Sequence, residues 1–407
     1  MSGKGPLVAL ASATIASVGG TRLSVIALPW MVLTTTGSPV LTGLVGLAEL
    51  LPYVIAKALA GPLIDRIGAR QIAIWSDCLS ALALTLIPLL FWLGVLSLWV
   101  LLPAVALVGV LRAPADAAKQ ALVPLVASIG NMPLERVTGI LGASDRLAGT
   151  LGAAGAGVLI ALMGSAPALL ANVAAFVLSA LLVRFGVPDQ EEPGAQNRAK
   201  SYGTDFTEGW HALRSDPVLV GLVVMIAITN LFDQAYAIVL LPVWVQAMAL
   251  DVSWVGILLA TFSGGAIAGA ALAAGLADRL PRLLIYVIGF ICAGPMPMLS
   301  LAFALPLPAI IALFVIGGFM AGFLNPIVGA ILFERIPKPM VGRVIALVGA
   351  LAWALMPFGG LYAGVLTDNL GVFTALSVTG VLYLAAALSP IAIPAFRQMK
   401  RPVPVSG

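Results

Sequence analysis

Glu49 and Lys57 stand eight residues apart inside one apolar run, so a helix there puts both on one face, roughly two turns from each other. A desolvated carboxylate holds a proton more readily than one in water, and a nearby cation reverses that preference. Glu49 is therefore the first candidate for a proton-carrying or cation-binding group. Approach of Arg22 or Lys57 in one conformation only would release the proton in that conformation. Asp233 is the second candidate, in a later run beside Asn230, Gln234 and Tyr236. Arg22 and Arg112 also fall near the middle of apolar runs. Asp145 and Arg146 are sequence neighbours that cannot pair on one helix face, so each needs its own partner. Asp77 lies only a turn or two inside its run, where a structural role at one end is expected. Ionisable side chains in such surroundings are costly, which makes each a functional candidate.

Most other chemistry is excluded. No G-x-x-x-x-G-K-[ST] motif is present, so nucleotide drive is not expected. One histidine, His211, and two cysteines, Cys78 and Cys292, lie far apart in sequence and make no metal set. The cysteines are expected as buried thiols. There is no N-x-[ST] sequon and no G-x-S-x-G elbow. No cofactor, no metal and no enzymatic activity are expected.

The elements that must position these groups follow from composition. Of 407 residues, 61% are hydrophobic and only 9% are charged. A soluble chain of this size needs far more polar surface. Twelve apolar runs are long enough to cross about 30 Å of hydrocarbon as helices. They cover 8–34, 40–64, 72–94, 98–124, 135–163, 166–187, 217–247, 253–277, 283–303, 307–335, 341–366 and 371–396. The first has no small-residue cleavage pattern and reads as a retained span.

Charge sets the orientation. The connections 35–39, 95–97, 164–165, 248–252, 304–306 and 367–370 hold no Lys or Arg. The opposite connections and the tail carry Arg66 and Arg70, Lys119 and Arg136, Arg198, Lys200 and Arg214, Arg279 and Arg282, Lys338 and Arg343, and Arg397, Lys400 and Arg401. Positive charge marks the cytoplasmic side. Both termini and the one long polar stretch are therefore expected there. The net charge of +4 reports topology, and no nucleic-acid partner is expected. Arginine outnumbers lysine and Ala and Gly abound, which suggests a bacterial chain in the cytoplasmic (inner) membrane.

The expected fold is an all-α integral membrane protein: an N-terminal six-helix half (1–187), a cytoplasmic linker (188–216) and a C-terminal six-helix half (217–407). The halves repeat. "ALAGPLIDR" at Ala58–Arg66 lies over "ALAAGLADR" at Ala271–Arg279. Arg136, Gly142, Ala143, Gly157, Val158, Leu159 and Gly164 lie over Arg343, Gly349, Ala350, Gly364, Val365, Leu366 and Gly371. Two parallel six-helix halves are the architecture of one large transporter class.

The stretch "GPLIDRIGAR" resembles the G-x-L-x-D-R-x-G-R signature of the major facilitator superfamily, through Gly61, Leu63, Asp65, Arg66, Gly68 and Arg70. The LP in helix one, T-G-S at the first outer turn, the LP in helix two and Asp77 resemble the branch of macrolide-type efflux proteins and siderophore exporters. The resemblance implies a gate: Asp65 near the N-terminus of helix eleven, around Met340 to Arg343, whose dipole favours a carboxylate. Arg66 and Arg70 are expected to pair with acids such as Asp116 or Glu135. Asp278 and Arg279 look like a degenerate second copy, with Pro281 where the first has Gly68. Arg112 loosely matches the family's helix-four arginine. "LGAAGAGVL" (151–159) has Ala153 where an antiporter motif has proline. "MPFGGLYAG" (356–364) is expected as a hinge or a close-packed contact.

Trp30, Met31, Tyr53, Phe232, Tyr236, Trp244, Phe262, Phe319, Asn325, Trp353, Met356 and Tyr362 are the candidates for a substrate wall. Aromatic and Met surface with few fixed polar groups suits bulky amphiphiles. Trp30, Trp99 and Trp254 also suit an interfacial belt. The expected function is alternating-access, proton-coupled export of drug-like or amphiphilic molecules by a monomer in a lipid bilayer. Export of a specific metabolite or siderophore, and a non-transporting sensor or lipid-handling role, stand as alternatives.

Overall fold

A chain buried in hydrocarbon has no water for its backbone polar groups, so its apolar runs must close their hydrogen bonds internally as helices. The computed structural model describes residues 4–189, 202–276, 281–336 and 340–399. Among them stand twelve spans long and apolar enough to cross a membrane. Spans 1 to 6 are Gly5–Thr36, Pro39–Ile67, Ala69–Trp92, Leu98–Ile129, Arg136–Met163 and Ser165–Gly186. Spans 7 to 12 are Pro217–Ala247, Ser253–Ala273, Arg282–Ala302, Leu307–Leu332, Leu347–Leu370 and Val372–Ala392. The chain is a multi-pass membrane protein. Many large apolar side chains are exposed along the spans, among them Leu59, Trp75, Leu82, Trp99 and Leu162, as a lipid-facing surface requires.

Turns between spans rest on glycine. Gly68 joins spans 2 and 3 alone, at φ 97°, a conformation that disfavours any residue with a Cβ. Gly164 and Gly371, superposed by the sequence repeat, adopt the same turn: φ 83°, ψ 165° and φ 77°, ψ 159°. The repeat is thus visible in backbone conformation as well as residue type. The polar linker is not all irregular, since Tyr202–Ser215 forms a helix within it. Asp278, Arg279, Arg198, Lys200, Lys338, Lys400 and Arg401 lie outside the described residues, as do the side chains of Glu135 and Arg343.

The chain divides into two compact units. The first comprises residues 1–196, 237–260 and 360–368. Within it, span 1 packs on spans 5 and 6, span 2 on span 4, and span 3 on spans 4 and 6. Leu7, Leu10, Ile72, Leu122, Val126, Val137 and Val183 form one apolar core at the end bearing the N-terminus. At the other end, span 2 meets residues from spans 7 and 11. A Cβ on Gly43 would strike the Gly360 backbone, one on Gly46 would lie 2.9 Å from Ile238, and one on Gly364 would lie 2.6 Å from the Pro39 carbonyl. Gly157 of span 5 faces Ser253 and Gly256 of span 8 in the same way.

The second unit comprises residues 197–236, 261–359 and 369–407. Here span 12 packs on spans 7 and 9, span 9 on span 10, and span 11 on span 7. The linker helix joins it through Leu213, which packs with Leu219, Val223, Leu332, Val344 and Val348. Several spans that contribute residues to this unit are broken. Span 7 passes through a π-helical turn at Tyr236–Leu240. Span 9 is interrupted at Gly294, span 10 at Gly322–Phe323, and span 11 around the 3-10 turn Met356–Phe358. Such breaks free backbone groups inside a membrane and are tolerated where neighbouring protein or a water-lined space satisfies them.

Candidate functional site

Two very different charge arrangements occupy the middle of the spans. In the first unit, spans 2 and 4 lie close enough that a Cβ on Gly109 would strike the Glu49 carbonyl. This brings Glu49, 8% exposed, against Arg112, 7% exposed. Arg112 Nη1 donates to Glu49 Oε1 at 2.9 Å. Its Nε lies 3.8 Å from Asp116 Oδ2, one helical turn on, and has no hydrogen-bond acceptor among the described residues. Tyr53 donates its hydroxyl to the same Asp116 oxygen at 3.0 Å, and Lys57 Nζ donates to that hydroxyl at 3.3 Å. The Arg112 guanidinium also sits over the Tyr53 ring, 4.4 Å from its centre.

The cluster is wider than these contacts. Arg22 feels the charges of Asp145 and Arg112, and Lys57 those of Asp116, Arg112 and Asp145. Arg22 lies across the glycine face of span 5: a Cβ on Gly149 would sit 3.6 Å from its Nε, and one on Gly152 would sit 3.1 Å from its Cβ. Three cations, Arg22, Lys57 and Arg112, thus stand among three carboxylates, Glu49, Asp116 and Asp145. Arg22, Asp145 and Arg146 are exposed. A charge at mid-span that keeps free surface belongs to a polar, accessible space, since hydrocarbon would make it costly.

Deeper in the same unit, Asp77 is wholly buried. Lys119 Nζ lies 2.8 Å from its Oδ2 and donates to its Oδ1 at 3.1 Å, and Ser179 donates to Oδ2 at 2.6 Å. Spans 3, 4 and 6 are clamped together there.

Among the described residues, the second unit holds one mid-span carboxylate without an ion pair. Asp233, midway along span 7, is exposed. Among the described residues it forms no ion pair, and its hydrogen bond is a long one, 3.5 Å, from the Tyr383 hydroxyl of span 12. That hydroxyl also faces Thr229. The Phe232 and Tyr383 rings stand 5.9 Å apart, and the Tyr236 and Phe314 rings 6.4 Å apart. The Tyr236 hydroxyl is buried without a partner among the described residues. Asn230 donates to the Ala352 carbonyl at 2.9 Å, just before the break in span 11.

These positions change several sequence expectations. Glu49 is neutralised by Arg112, not by Arg22 or Lys57, because the glycine contact sets spans 2 and 4 side by side. Arg70 pairs with Asp189 at 2.9 Å and donates to the Val187 and Arg184 carbonyls, so it caps the C-terminus of span 6. Asp116 is already engaged by Arg112 and Tyr53 and is not Arg70's partner. Asp65 and Arg66 are exposed, with no ion pair among the described residues. Cys78 is exposed and Cys292 half-buried, so neither is the buried thiol expected. Of the aromatic candidates, Trp244, Met31, Tyr53 and Phe232 are buried. Trp30, Tyr236, Phe262, Phe319, Met356 and Tyr362 are half-buried, and Asn325 and Trp353 are exposed.

The sequence reading did not select Asp116 or Lys119 as site residues, although each lies one turn from the next member of the Arg112–Asp116–Lys119 series. Nothing in the sequence marked Ser179, Asp189 or Tyr383, which meet Asp77, Arg70 and Asp233 across 102, 119 and 150 residues.

Comparison with known proteins agrees with this architecture. The chain is 29% identical to the multidrug efflux pump Tap of Mycobacterium tuberculosis over 98% of its own length and 96% of that protein's. It is 23% identical to macrolide efflux protein A of Streptococcus pyogenes, covering 87% of each chain. The fold matches a mutant form of the nucleoside transporter NupG with a TM-score of 0.76 at 11% identity, over 97% of this chain and 100% of that one. It also matches a bacterial homologue of the human lysosomal transporter Spinster, in an inward-facing and unoccupied conformation, with a TM-score of 0.71 at 15% identity, over 98% of each chain. The profile of the Major Facilitator Superfamily covers residues 10–253 and 223–406, and with twelve spans and the repeated glycine turns in place, the chain belongs to that superfamily.

Proposed function

We propose that the chain is a secondary exporter that moves drug-like, amphiphilic small molecules in exchange for protons, by alternating access. The single observation that carries the coupling is Asp233, a mid-span carboxylate with free surface and no cation beside it among the described residues. Such a group can gain and lose a proton within a transport cycle. Glu49 is the second carrier in this reading, released to titrate when Arg112 moves from it to Asp116. The relatives named above, a multidrug and a macrolide efflux protein, support the substrate class. The half-buried Tyr236, Phe262, Phe319 and Met356 of the second unit support it as well, as do Trp30 and Tyr362 of the first.

The Lys and Arg bias supports a cytoplasmic (inner) membrane location with both termini cytoplasmic. We take the working unit to be a monomer of two halves, 1–187 and 217–407, joined by 188–216. Asp65 and Arg66, unpaired among the described residues, serve in this reading as a latch at the cytoplasmic end in another conformation.

The test is flux in proteoliposomes under an imposed pH gradient, with lipophilic dyes and macrolides as substrates. Gradient-driven movement in the parent, lost in Asp233→Asn and reduced in Glu49→Gln, is the expected result. No movement of any compound by a folded parent protein would overturn the export reading and direct attention to a specific metabolite.

A further inference from the structure

We infer that Arg22, held against the Gly149 face of span 5 and flanked by Arg146, forms a subsite that binds the carboxylate of an amphiphilic organic anion or zwitterion. The inference rests on the export reading above and adds a chemical class of substrate.

Arg22 stands in mid-span with N–H donors that the protein does not use. Among the described residues its side chain makes no hydrogen bond and no ion pair. The cations of spans 2 and 4 are engaged: Arg112 donates to Glu49, and Lys57 to the Tyr53 hydroxyl. Arg146 resembles Arg22, exposed and with no ion pair among the described residues. Arg22, Lys57, Arg112 and Arg146 thus face Glu49, Asp116 and Asp145, which leaves one positive charge in excess. A charge at this depth is retained at a cost, so the surplus leaves room for a negative group from outside the protein.

Helix packing fixes where the guanidinium sits. Spans 1 and 5 approach so closely that a Cβ on Gly152 would stand 2.7 Å from the Gly19 carbonyl and 3.1 Å from the Arg22 Cβ. One turn away, a Cβ on Gly149 would stand 3.6 Å from Arg22 Nε and 3.9 Å from Nη2. The guanidinium therefore lies along span 5 beside a position with no side chain, one turn after Asp145 and Arg146. It keeps free surface although protein surrounds it on several sides, as a group on the wall of a concave space does.

This arrangement suits an oxyanion. A guanidinium presents paired N–H donors to a carboxylate in a planar fork, and such charge-assisted bonds are stronger than neutral ones. Arg146 adds a second positive charge. Asp145, the acid whose charge Arg22 feels, closes no ion pair with either arginine among the described residues, so it weakens the site without filling it. An organic carboxylate fits better than a small inorganic anion, because its apolar body offsets the desolvation of its charge.

The test is equilibrium binding of 2-naphthoate to the purified full chain in detergent. Its uncharged analogue 2-naphthamide and the lipophilic cation tetraphenylphosphonium are measured beside it, and no gradient is needed. Expected is a loss of about tenfold or more in naphthoate affinity in Arg22→Gln, equivalent to about 1.4 kcal/mol or more, with naphthamide changed less than twofold. Tetraphenylphosphonium affinity should stay or rise in that variant. Arg146→Gln should weaken naphthoate by a smaller factor. Asp145→Asn removes the competing negative charge and should strengthen naphthoate about threefold, an effect that a merely structural role would not produce. If Arg22→Gln does not fold, the opposite shifts of Arg146→Gln and Asp145→Asn decide the matter. Naphthoate affinity unchanged in Arg22→Gln, equal losses for naphthoate and naphthamide, or weaker naphthoate binding in Asp145→Asn would overturn the subsite. Displacement of naphthoate by an equal concentration of sulfate would overturn the assignment to an organic carboxylate. Binding that behaves as expected, beside absent flux in vesicles, would sink the export reading and leave the subsite standing.

Discussion

Arg112 has two acids to choose between. It holds Glu49 at 2.9 Å and leaves its Nε 3.8 Å from Asp116, without an acceptor. Breaking such a buried pair by removing one partner typically costs about 3–5 kcal/mol, because the other charge is left uncompensated, while removing both costs much less. Glu49→Gln and Arg112→Met should each lower the apparent melting temperature in detergent, with the Arg112 variant the more damaged, since it frees two carboxylates. The double variant should melt above Arg112→Met alone. Strict additivity of the two losses would mean that the pair is not coupled. Asp77 obeys the same rule with a different purpose. It is wholly buried, saturated by Lys119 and Ser179, and has no surface through which to meet a substrate. Asp77→Asn should therefore lower the melting temperature and protein yield, while the folded fraction keeps its affinity for tetraphenylphosphonium.

At the scale of elements, close packing of helices depends on a few glycines. Gly43 and Gly360 bring the backbones of spans 2 and 11 into direct contact, and Gly364 does the same against Pro39 and Val40. Leu in place of Gly43 has no room, so Gly43→Leu should abolish this contact and reduce flux at least tenfold. Gly142 has open space around its Cβ position, and Gly142→Ala should leave flux within about twofold. Flux from Gly43→Leu equal to the parent's would show that this helix contact is not used in transport. The sequence announced the spans well, because a bilayer demands long apolar helices and positive flanks, and the repeat announced the equivalent turns at Gly164 and Gly371. The break in span 9 falls at Gly294-Pro295, inside the run 283–303 that reads in the sequence as one continuous span. The π-helical turn after Asp233 was not foreseen, although Pro242, which has no N–H for the Ile238 carbonyl four residues back, stands just beyond it. Partner choice was hidden too. Glu49, Arg112, Lys57 and Arg22 were all recognisable as intramembrane charges, but which cation meets Glu49 depends on the Gly109 contact between spans 2 and 4. The pairing of Asp233 with Tyr383 depends on spans 7 and 12 being neighbours.

At the scale of the molecule, the distribution of charge between the units limits the stoichiometry. The first unit sets Arg22, Lys57 and Arg112 among Glu49, Asp116 and Asp145, with Arg146 exposed beside them on span 5. Asp233 in the second unit is one negative charge with no ion pair among the described residues. If this carboxylate alternates between one proton and one monovalent organic cation, each turnover exchanges one charge for one charge, and transport is electroneutral. A pH gradient should then drive flux of tetraphenylphosphonium, and a membrane potential set by potassium and valinomycin at equal pH should not change the exchange. If Glu49 also cycles as Arg112 swings to Asp116, two protons return for each cation and a net charge crosses. The potential would then contribute about 2.3 kcal/mol per charge per 100 mV. The proposed movement of Arg112 from Glu49 to Asp116 corresponds to the second case, and it predicts that a membrane potential drives flux in the parent. The decisive comparison is the potential dependence of flux in the parent and in Glu49→Gln. Potential-independent exchange in both would assign the coupling to Asp233 alone, whereas potential-driven flux in the parent that disappears in Glu49→Gln would make Glu49 a second carrier.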